Sequence, residues 1–117
     1  MISLGTDIVK VSRIKTLINQ KKEKFLNKIF TEEEILYCNS YPEPEIHFSG
    51  KYAAKEAVKK ALLSNKLIDK ISLKNIKILN RNNNVPYVII KNTTGLNYSI
   101  SVSHEKEYAI AFAIIEK

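Results

Sequence analysis

The residues best suited to chemistry lie in one stretch, residues 48–62, which reads FSGKYAAKEAVKKAL. Tyr52, Glu56 and Lys60 recur there at intervals of four, and a helix would place all three on one face. A carboxylate one turn away from an ammonium group on a rigid helix is a candidate site. The same order, Glu before Lys, also favours a surface ion pair, and exposed pairs of this kind are common. The spacing alone is compatible with both interpretations.

A second carboxylate, Asp7, lies near the end of an apolar segment, residues 2–9, that predicts a strand. Because strand interiors tolerate aspartate poorly, Asp7 is expected to be a cap or turn for the next segment, or a ligand. If this strand packs on the helix of residues 48–62, Asp7 and Glu56 could reach one point. Two hard oxygen ligands, with water completing the shell, suit Mg²⁺ and would also suit Mn²⁺. Lys60 would then supply positive charge to a phosphate group.

Other catalytic motifs are absent from the sequence. The two histidines and Cys38 lack the spacing of a zinc site. Three glycines cannot supply a Walker loop or a GxGxxG turn, and no GxSxG nucleophile motif occurs. His104 falls at the end of a predicted strand, where an isolated histidine is either a structural hydrogen-bonding group or a catalyst.

The stretch around Glu56 has an apolar face made mostly of alanine, with five residues at helical spacing: Ala54, Ala57, Val58, Ala61 and Leu62. Such small side chains would let a neighbouring element approach closely. This helix is predicted to begin after Pro44 and to end near Leu63, where Ser64 and Asn65 follow.

The segments before this helix predict shorter helices. Ser12 can cap a helix that carries Arg13 and a basic face, which is either solvated or a docking surface for an acidic partner. Residues 25–30 continue at helical spacing. Residues 31–34, TEEE, form a capping-box sequence for a short helix from Glu32 to about Cys38.

The segments after it predict strands, although residues 67–73 are ambiguous between loop and strand. Residues 75–79 and 86–90 are predicted to pair as a hairpin across a polar turn. Residues 98–104 alternate between apolar and small polar side chains, and residues 108–115, YAIAFAII, are apolar on both faces, which predicts a central strand. This order predicts a single α+β domain, residues 1–117, with helices packed on a mainly antiparallel sheet.

Composition limits the classes of function. A chain of 117 residues suffices for one domain, and its formal net charge of +7 indicates an anionic partner: nucleic acid, a membrane surface, a phosphorylated ligand or an acidic protein. Arginine occurs only as Arg13 and Arg81, which weighs against sequence-specific DNA recognition. The single cysteine fits a reducing compartment. Because we find neither an apolar run of membrane length nor a secretory signal, we expect a cytoplasmic protein.

Three motifs together resemble those of the holo-[acyl-carrier-protein] synthases, within the 4′-phosphopantetheinyl transferase superfamily. GTDIVKVSRI is similar to the family's N-terminal segment, FSGKYAAKEAVKKAL to its central motif, and ISVSHEKEYAIAFAIIE to its C-terminal segment. The VPY of the predicted hairpin is similar to the family's usual turn. The likeness extends over nearly the whole chain, with the motifs in the family's order and spacing.

The resemblance implies a reaction: transfer of the 4′-phosphopantetheine group of coenzyme A to a serine of apo acyl carrier protein, in support of fatty acid biosynthesis. Adenosine 3′,5′-bisphosphate would be the other product. The family uses Mg²⁺, for which Asp7 and Glu56 match the ligands, and it assembles as a homotrimer with active sites between subunits. Arg13 falls on the helix that docks the acidic carrier protein. Neither nucleic acid nor a membrane would then be a partner.

The resemblance also implies roles for individual residues. Glu56, Lys60 and His104 match catalytic positions, with Glu56 able to take the proton of the incoming serine. Lys51, Lys60, Pro86 and His104 match positions of the coenzyme A site.

This chain departs from the family pattern at two turns. Many members have a glycine-rich turn just after the long helix, whereas residues 63–66 read LSNK here. Side chains at these positions are expected to alter the backbone cradle that would hold phosphate. The hairpin turn, NVPY at residues 84–87, lacks the usual lysine and glycine.

Two other functions stay open from the sequence. A small basic RNA- or ribosome-binding module would fit the net charge and the lysine-rich helices, although no RNP-like aromatic strand motif is present. A non-catalytic carrier-binding protein would keep the basic first helix and would not need Asp7 and Glu56 together.

Overall fold

The computed structural model describes residues 1–117 and confirms the predicted class, with four α-helices and a mainly antiparallel sheet. In chain order the elements are β1 (Ile2–Lys10), α1 (Val11–Lys21), α2 (Glu23–Ile29), α3 (Glu32–Asn39), α4 (Pro44–Ser64), a 3₁₀ turn (Leu73–Asn75), β2 (Lys77–Asn80), β3 (Pro86–Ile89), β4 (Asn97–His104) and β5 (Tyr108–Glu116). The ambiguous segment before the 3₁₀ turn is not a strand.

Three strands form one antiparallel sheet in the order β1-β5-β4, so β5 is central as predicted. The register pairs Asp7 of β1 with Ala111 and His104 of β4 with Ala109, both on β5. Ala109 and Ala111 are buried on the inner face of the sheet. Asp7 and His104 therefore lie on this same face, on either side of β5. The strands β2 and β3 pair only with each other, as the predicted hairpin.

Helix α4 crosses the inner face of the sheet at very short range, and Gly5 is the reason. A Cβ atom at Gly5 would lie 1.9 Å from the backbone oxygen of Ala57, which no side chain could tolerate. The alanines of α4 that face the sheet, including Ala57 and Ala61, are fully buried. The small residues on both elements thus set the distance between β1 and α4, and with it the position of Asp7 beside the helix.

The outer face of the sheet is apolar and open to solvent. Residues of β1 and β5 alternate between a buried inner set and an exposed outer set, and the outer set is largely hydrophobic: Ile2, Leu4, Ile8, Tyr108, Ile110 and Phe112. Single exposed apolar residues are ordinary, but a contiguous patch marks an interaction surface. The prediction that β5 is apolar on both faces is correct, yet only one face is covered within the chain.

Helix starts follow the sequence in one case and depart from it in another. The capping box is present: Thr31 N–H donates to Glu34 Oε1 at 2.7 Å, and Glu34 N–H donates to Thr31 Oγ1 at 3.3 Å. The predicted cap at Ser12 is wrong, because α1 already begins at Val11. The Val11 N–H donates instead to the carbonyl of Glu107, 2.8 Å away in the turn before β5.

No helix combines the length and apolar character needed to cross a bilayer.

Candidate active site

Asp7 makes an ion pair with Lys60 and does not cap a helix. The Lys60 Nζ donates to Asp7 Oδ1 at 3.0 Å and to the Thr6 carbonyl at 3.1 Å. The Asp7 side chain is only 15% exposed, whereas that of Lys60 is 55% exposed. The surface pair between Glu56 and Lys60 that the spacing allowed does not form, since the ion pairs of the chain are Asp7–Lys60 and Glu34–Lys55. The carboxylate of Glu56 is left without a basic partner.

The charges of Asp7, Glu56 and Arg13 all act on the phenol of Tyr52. Burial raises the pKa of the Tyr52 phenol, the negative charge of Glu56 raises it further, Arg13 lowers it and Asp7 raises it. Three elements, β1, α1 and α4, therefore bring their charged side chains within electrostatic range of one phenol. The spacing of residues 52, 56 and 60 places Tyr52 on the face of Glu56 but does not indicate a role for it.

The donor set at this place fits a divalent cation that is only partly held by protein. No cluster of three or more histidine, cysteine, aspartate or glutamate side chains occurs in the chain, so a closed all-protein metal site is not built. Two carboxylates, Asp7 and Glu56, are the kind of hard oxygen ligands that Mg²⁺ takes when water and substrate phosphates complete its shell.

A second feature is a cavity of about 250 Å³ between the first half of α4, the β2–β3 hairpin and the end of β4. It contains three of the predicted coenzyme residues and several others: Tyr37, Tyr41, His47, Gly50, Lys51, Ile78, Asn80, Asn84, Pro86, Val102 and His104. Lys60, Asp7 and Glu56 do not line it. Within one chain, the predicted site residues therefore form two groups, one at this cavity and one around Tyr52.

Lys51 forms a buried wall of this cavity. It is 5% exposed. Its Nζ donates to the Ile78 carbonyl and, at 2.6 Å, to Asn80 Oδ1, and lies 4.5 Å from the centre of the Tyr37 ring. Burial lowers the pKa of Lys51, while Cys38 and Glu34 act to raise it. Its ammonium group is thus held in place by the hairpin and an aromatic ring.

His47 is a cavity residue that the sequence analysis missed. Its ring stacks on Tyr41, with centroids 3.7 Å apart and 19° between planes, and lies edge-on to His104 at 5.2 Å. Burial lowers the pKa of His47, and the charges of His104 and Lys51 lower it further. The available signal was spacing, because His47 precedes Lys51 by four residues and shares its face of α4.

The turn after α4 does not offer free backbone amides for a phosphate. The N–H groups of Lys66 and Leu67 donate to the carbonyls of Leu63 and Leu62, at 3.2 and 3.0 Å. Lys66 also adopts a positive φ of 53° without being glycine. The departure from the glycine-rich pattern therefore coincides with amides that are used to end the helix.

Comparisons with known proteins agree with the resemblance noted from the motifs. A profile of the 4′-phosphopantetheinyl transferase superfamily matches residues 3–113. A holo-[acyl-carrier-protein] synthase of Thermodesulfovibrio yellowstonii is 46% identical over 96% of this chain and 96% of that protein. One from Protochlamydia amoebophila is 38% identical over 97% of this chain and 96% of that protein. Helicobacter pylori holo-[acyl-carrier-protein] synthase, solved in complex with coenzyme A, is 30% identical with a TM-score of 0.84 and covers 97% of this chain and 99% of its own.

Proposed function

The chain belongs to the 4′-phosphopantetheinyl transferase superfamily, and we propose that Asp7, Glu56 and Lys60 carry its reaction with a bound Mg²⁺ ion. The reaction is the transfer of the 4′-phosphopantetheine group of coenzyme A to apo acyl carrier protein. The observation that supports this assignment best is the close approach of β1 to α4, where Gly5 lies against the backbone of Ala57, next to Glu56, and Lys60 bonds to Asp7 at 3.0 Å. The product would serve fatty acid biosynthesis.

Asp7 and Glu56 would hold the cation. When bound, it would neutralise the charge that builds on the pyrophosphate of coenzyme A. Glu56 has no basic partner in the chain, so the carboxylate oxygen that does not hold the cation could accept the proton of the carrier serine hydroxyl. The serine oxygen forms a bond to the phosphorus next to pantetheine while the bond from that phosphorus to the bridging oxygen breaks, and adenosine 3′,5′-bisphosphate leaves.

Lys60 is suited to the phosphate side of this reaction. Its side chain is 55% exposed and reaches Asp7 from the end of α4, so it can turn toward an incoming pyrophosphate once a cation takes its place on Asp7. Positive charge at that point stabilises negative charge on the leaving group.

The cavity lined by Lys51, Pro86 and His104 is proposed as the binding site for the nucleotide end of coenzyme A. It combines cationic, aromatic and amide side chains, which suits a phosphorylated adenosine. The His104 ring, already in edge contact with His47, would complete this site.

Arg13 is proposed to dock the carrier protein. It is exposed on α1, close enough to Tyr52 to affect the pKa of its phenol, and α1 has no acidic residue in its first turn. An acidic carrier bound there would lie next to the carboxylates that act on its serine.

A homotrimer is proposed as the working assembly. Two observations support it: the apolar outer face of β1 and β5 is uncovered within one chain, and the two groups of site residues are separate within that chain. A neighbouring subunit could bring its cavity next to the Asp7 and Glu56 carboxylates of this chain.

We place the enzyme in the cytoplasm, consistent with a reduced and buried Cys38. The RNA-binding alternative is not favoured by any relative described above.

One assay tests this function. Apo acyl carrier protein incubated with the chain, coenzyme A and Mg²⁺ is expected to gain the mass of one phosphopantetheine group by mass spectrometry, and excess chelator should abolish the gain. The control variant Glu33→Gln, which alters an exposed residue of α3, should transfer normally. No gain with several carriers at neutral pH would contradict the transferase function, whereas a gain that survives the chelator would contradict the metal dependence.

A further inference from the structure

The outer edge of β2 has no neighbouring strand, and side chains take the place of one. The Ile78 N–H donates to Glu34 Oε2 at 2.8 Å, and the Ile78 carbonyl accepts from Lys51 Nζ. The Ile76 carbonyl, just before the strand, accepts from Lys55 Nζ at 2.8 Å. An unpaired strand edge is thus satisfied by residues of α3 and α4, which ties the β2–β3 hairpin to both helices.

Glu34 and Lys55 are the centre of this arrangement. Their side chains are fully buried and lie 2.8 Å apart. The Lys55 Nζ uses its remaining protons on the carbonyls of Leu73, at 3.1 Å, and Ile76. Besides Ile78, Glu34 accepts from Thr31 N–H at the start of α3. Every donor of the ammonium group has a partner.

A contribution to the stability of the fold does not by itself explain why Glu34 and Lys55 form a buried ion pair. Replacing a buried ion pair with apolar residues of similar volume often leaves a fold as stable as before, whereas removing one partner is costly. What an apolar pair could not supply is directed hydrogen bonds to the edge of β2. The hairpin held by these bonds provides the cavity wall opposite α4, with Ile78, Asn80, Asn84 and Pro86.

We propose that Glu34 and Lys55 are positioning residues, which hold the β2–β3 hairpin at the distance from α4 that coenzyme A binding requires. The proposal rests on the assignment of the cavity to coenzyme A made above. Neither side chain lines that cavity, so both act through Ile78 and its neighbours. Lys51, whose Nζ donates to the Ile78 carbonyl, is a further link between α4 and the hairpin.

The test compares coenzyme A affinity in two variants with matched controls. Glu34→Gln and Lys55→Met are expected to weaken coenzyme A binding by about tenfold to a hundredfold, because small displacements of binding groups have effects of that size. The KM for the carrier protein should stay within about twofold of wild type, since Arg13 and α1 lie on other elements. Glu33→Gln and Lys59→Met, on the same helices but without these bonds, should bind coenzyme A like wild type. Calorimetric titration with coenzyme A gives the affinities.

A compensated double variant separates positioning from folding. Glu34→Leu with Lys55→Met removes the charges together and should recover much of the thermal stability lost in Lys55→Met. If the pair positions the hairpin, coenzyme A affinity stays low in this stable double variant. A double variant that regains both stability and affinity would overturn the proposal, as would single variants that melt earlier but bind coenzyme A normally. A wild-type chain that binds no coenzyme A would instead overturn the assignment of the cavity, and the positioning role with it.

Discussion

Lys60 forms an ion pair with Asp7, with its Nζ 3.0 Å from Asp7 Oδ1, and not with Glu56, the acidic residue one turn before it in the helix. The contact joins the end of α4 to β1 and leaves the Glu56 carboxylate free. One carboxylate of the proposed metal site is thus already paired with an exposed lysine side chain, whereas the other is not. In the proposed site, an incoming divalent ion would compete with the ammonium group for Asp7 until a phosphate drew Lys60 away.

Removing the Lys60 charge is therefore expected to have opposite effects on metal and on coenzyme. Lys60→Met should tighten Mn²⁺ binding to the coenzyme-free protein by up to about fivefold, the equivalent of the roughly 1 kcal/mol that an exposed ion pair contributes. The same variant should bind coenzyme A more weakly, because a positive charge near the pyrophosphate is lost. Titrations with Mn²⁺ alone and with coenzyme A alone measure the two effects. Weaker Mn²⁺ binding by Lys60→Met would contradict the competition.

Gly5 is expected to be intolerant of any side chain. In Gly5→Ala the new Cβ would meet the Ala57 oxygen at 1.9 Å and the Ala61 nitrogen at 2.9 Å, so β1 must move away from α4. We expect a loss of about 3 kcal/mol or more in the free energy of unfolding, measured by urea denaturation. Gly95→Ala is the control, since it has a φ of 83° but no neighbouring atom within 4 Å and should lose only about 1 kcal/mol. Equal losses in the two variants would show that close packing at Gly5 is unimportant.

Charge reversal at Arg13 tests the docking surface. Arg13→Glu should raise the KM for acyl carrier protein by about tenfold or more, because a like charge then faces the acidic carrier. The KM for coenzyme A should change little. Lys70→Glu, which changes the net charge equally at another exposed position, serves as the control. Raising the salt concentration should weaken carrier binding by the wild type through screening; a salt-independent affinity would speak against electrostatic docking.

His47 is expected to contribute to acid destabilisation. Its pKa is lowered from 6.5 by burial and by the charges of His104 and Lys51. Near and below pH 6.5, His47 therefore binds a proton more tightly in the unfolded chain than in the folded chain. The free energy of unfolding should then fall as the pH drops from about 6.5 through the pKa of the folded state. His47→Phe keeps an aromatic ring against Tyr41 and should remove this part of the fall. Urea denaturation of both proteins at several pH values measures the difference, and parallel curves would refute it.

Local patterns were enough to predict most elements. The alternation of residues 98–104 corresponds to a strand whose Ile100 and Val102 side chains are half-buried and whose serines are exposed, and the capping box at Thr31 is formed. The span of α4, Pro44–Ser64, is also close to the predicted helix, which was to begin after Pro44 and end near Leu63. In each case the signal and the partner lie within a few residues of each other, so no knowledge of the tertiary structure was required.

Local sequence patterns could not predict the contacts between segments that are distant in the chain. The cap of α1 was misassigned because the N–H of Val11 finds its acceptor at Glu107, nearly the whole chain away. Lys51 and Lys55 are buried because their ammonium groups donate to carbonyls in and just before β2, and no local pattern indicates such contacts. The helix spacing favoured Glu56 as the partner of Lys60, and only the close approach at Gly5 brings Asp7 to it instead. The roles assigned to the site residues stay predictions.

The proposal that Asp7 and Glu56 share a cation is tested most directly by counting the Mn²⁺ bound in the presence of coenzyme A, using electron paramagnetic resonance. Wild type and Glu33→Gln should each bind one Mn²⁺ per chain. In Asp7→Asn and in Glu56→Gln the affinity for Mn²⁺ should fall by about a hundredfold or more. The fold should be retained, because each amide keeps the shape of the carboxylate and Lys60 can still donate to the amide oxygen at position 7. Retention of wild-type Mn²⁺ affinity by either variant would contradict a metal site built from these two side chains.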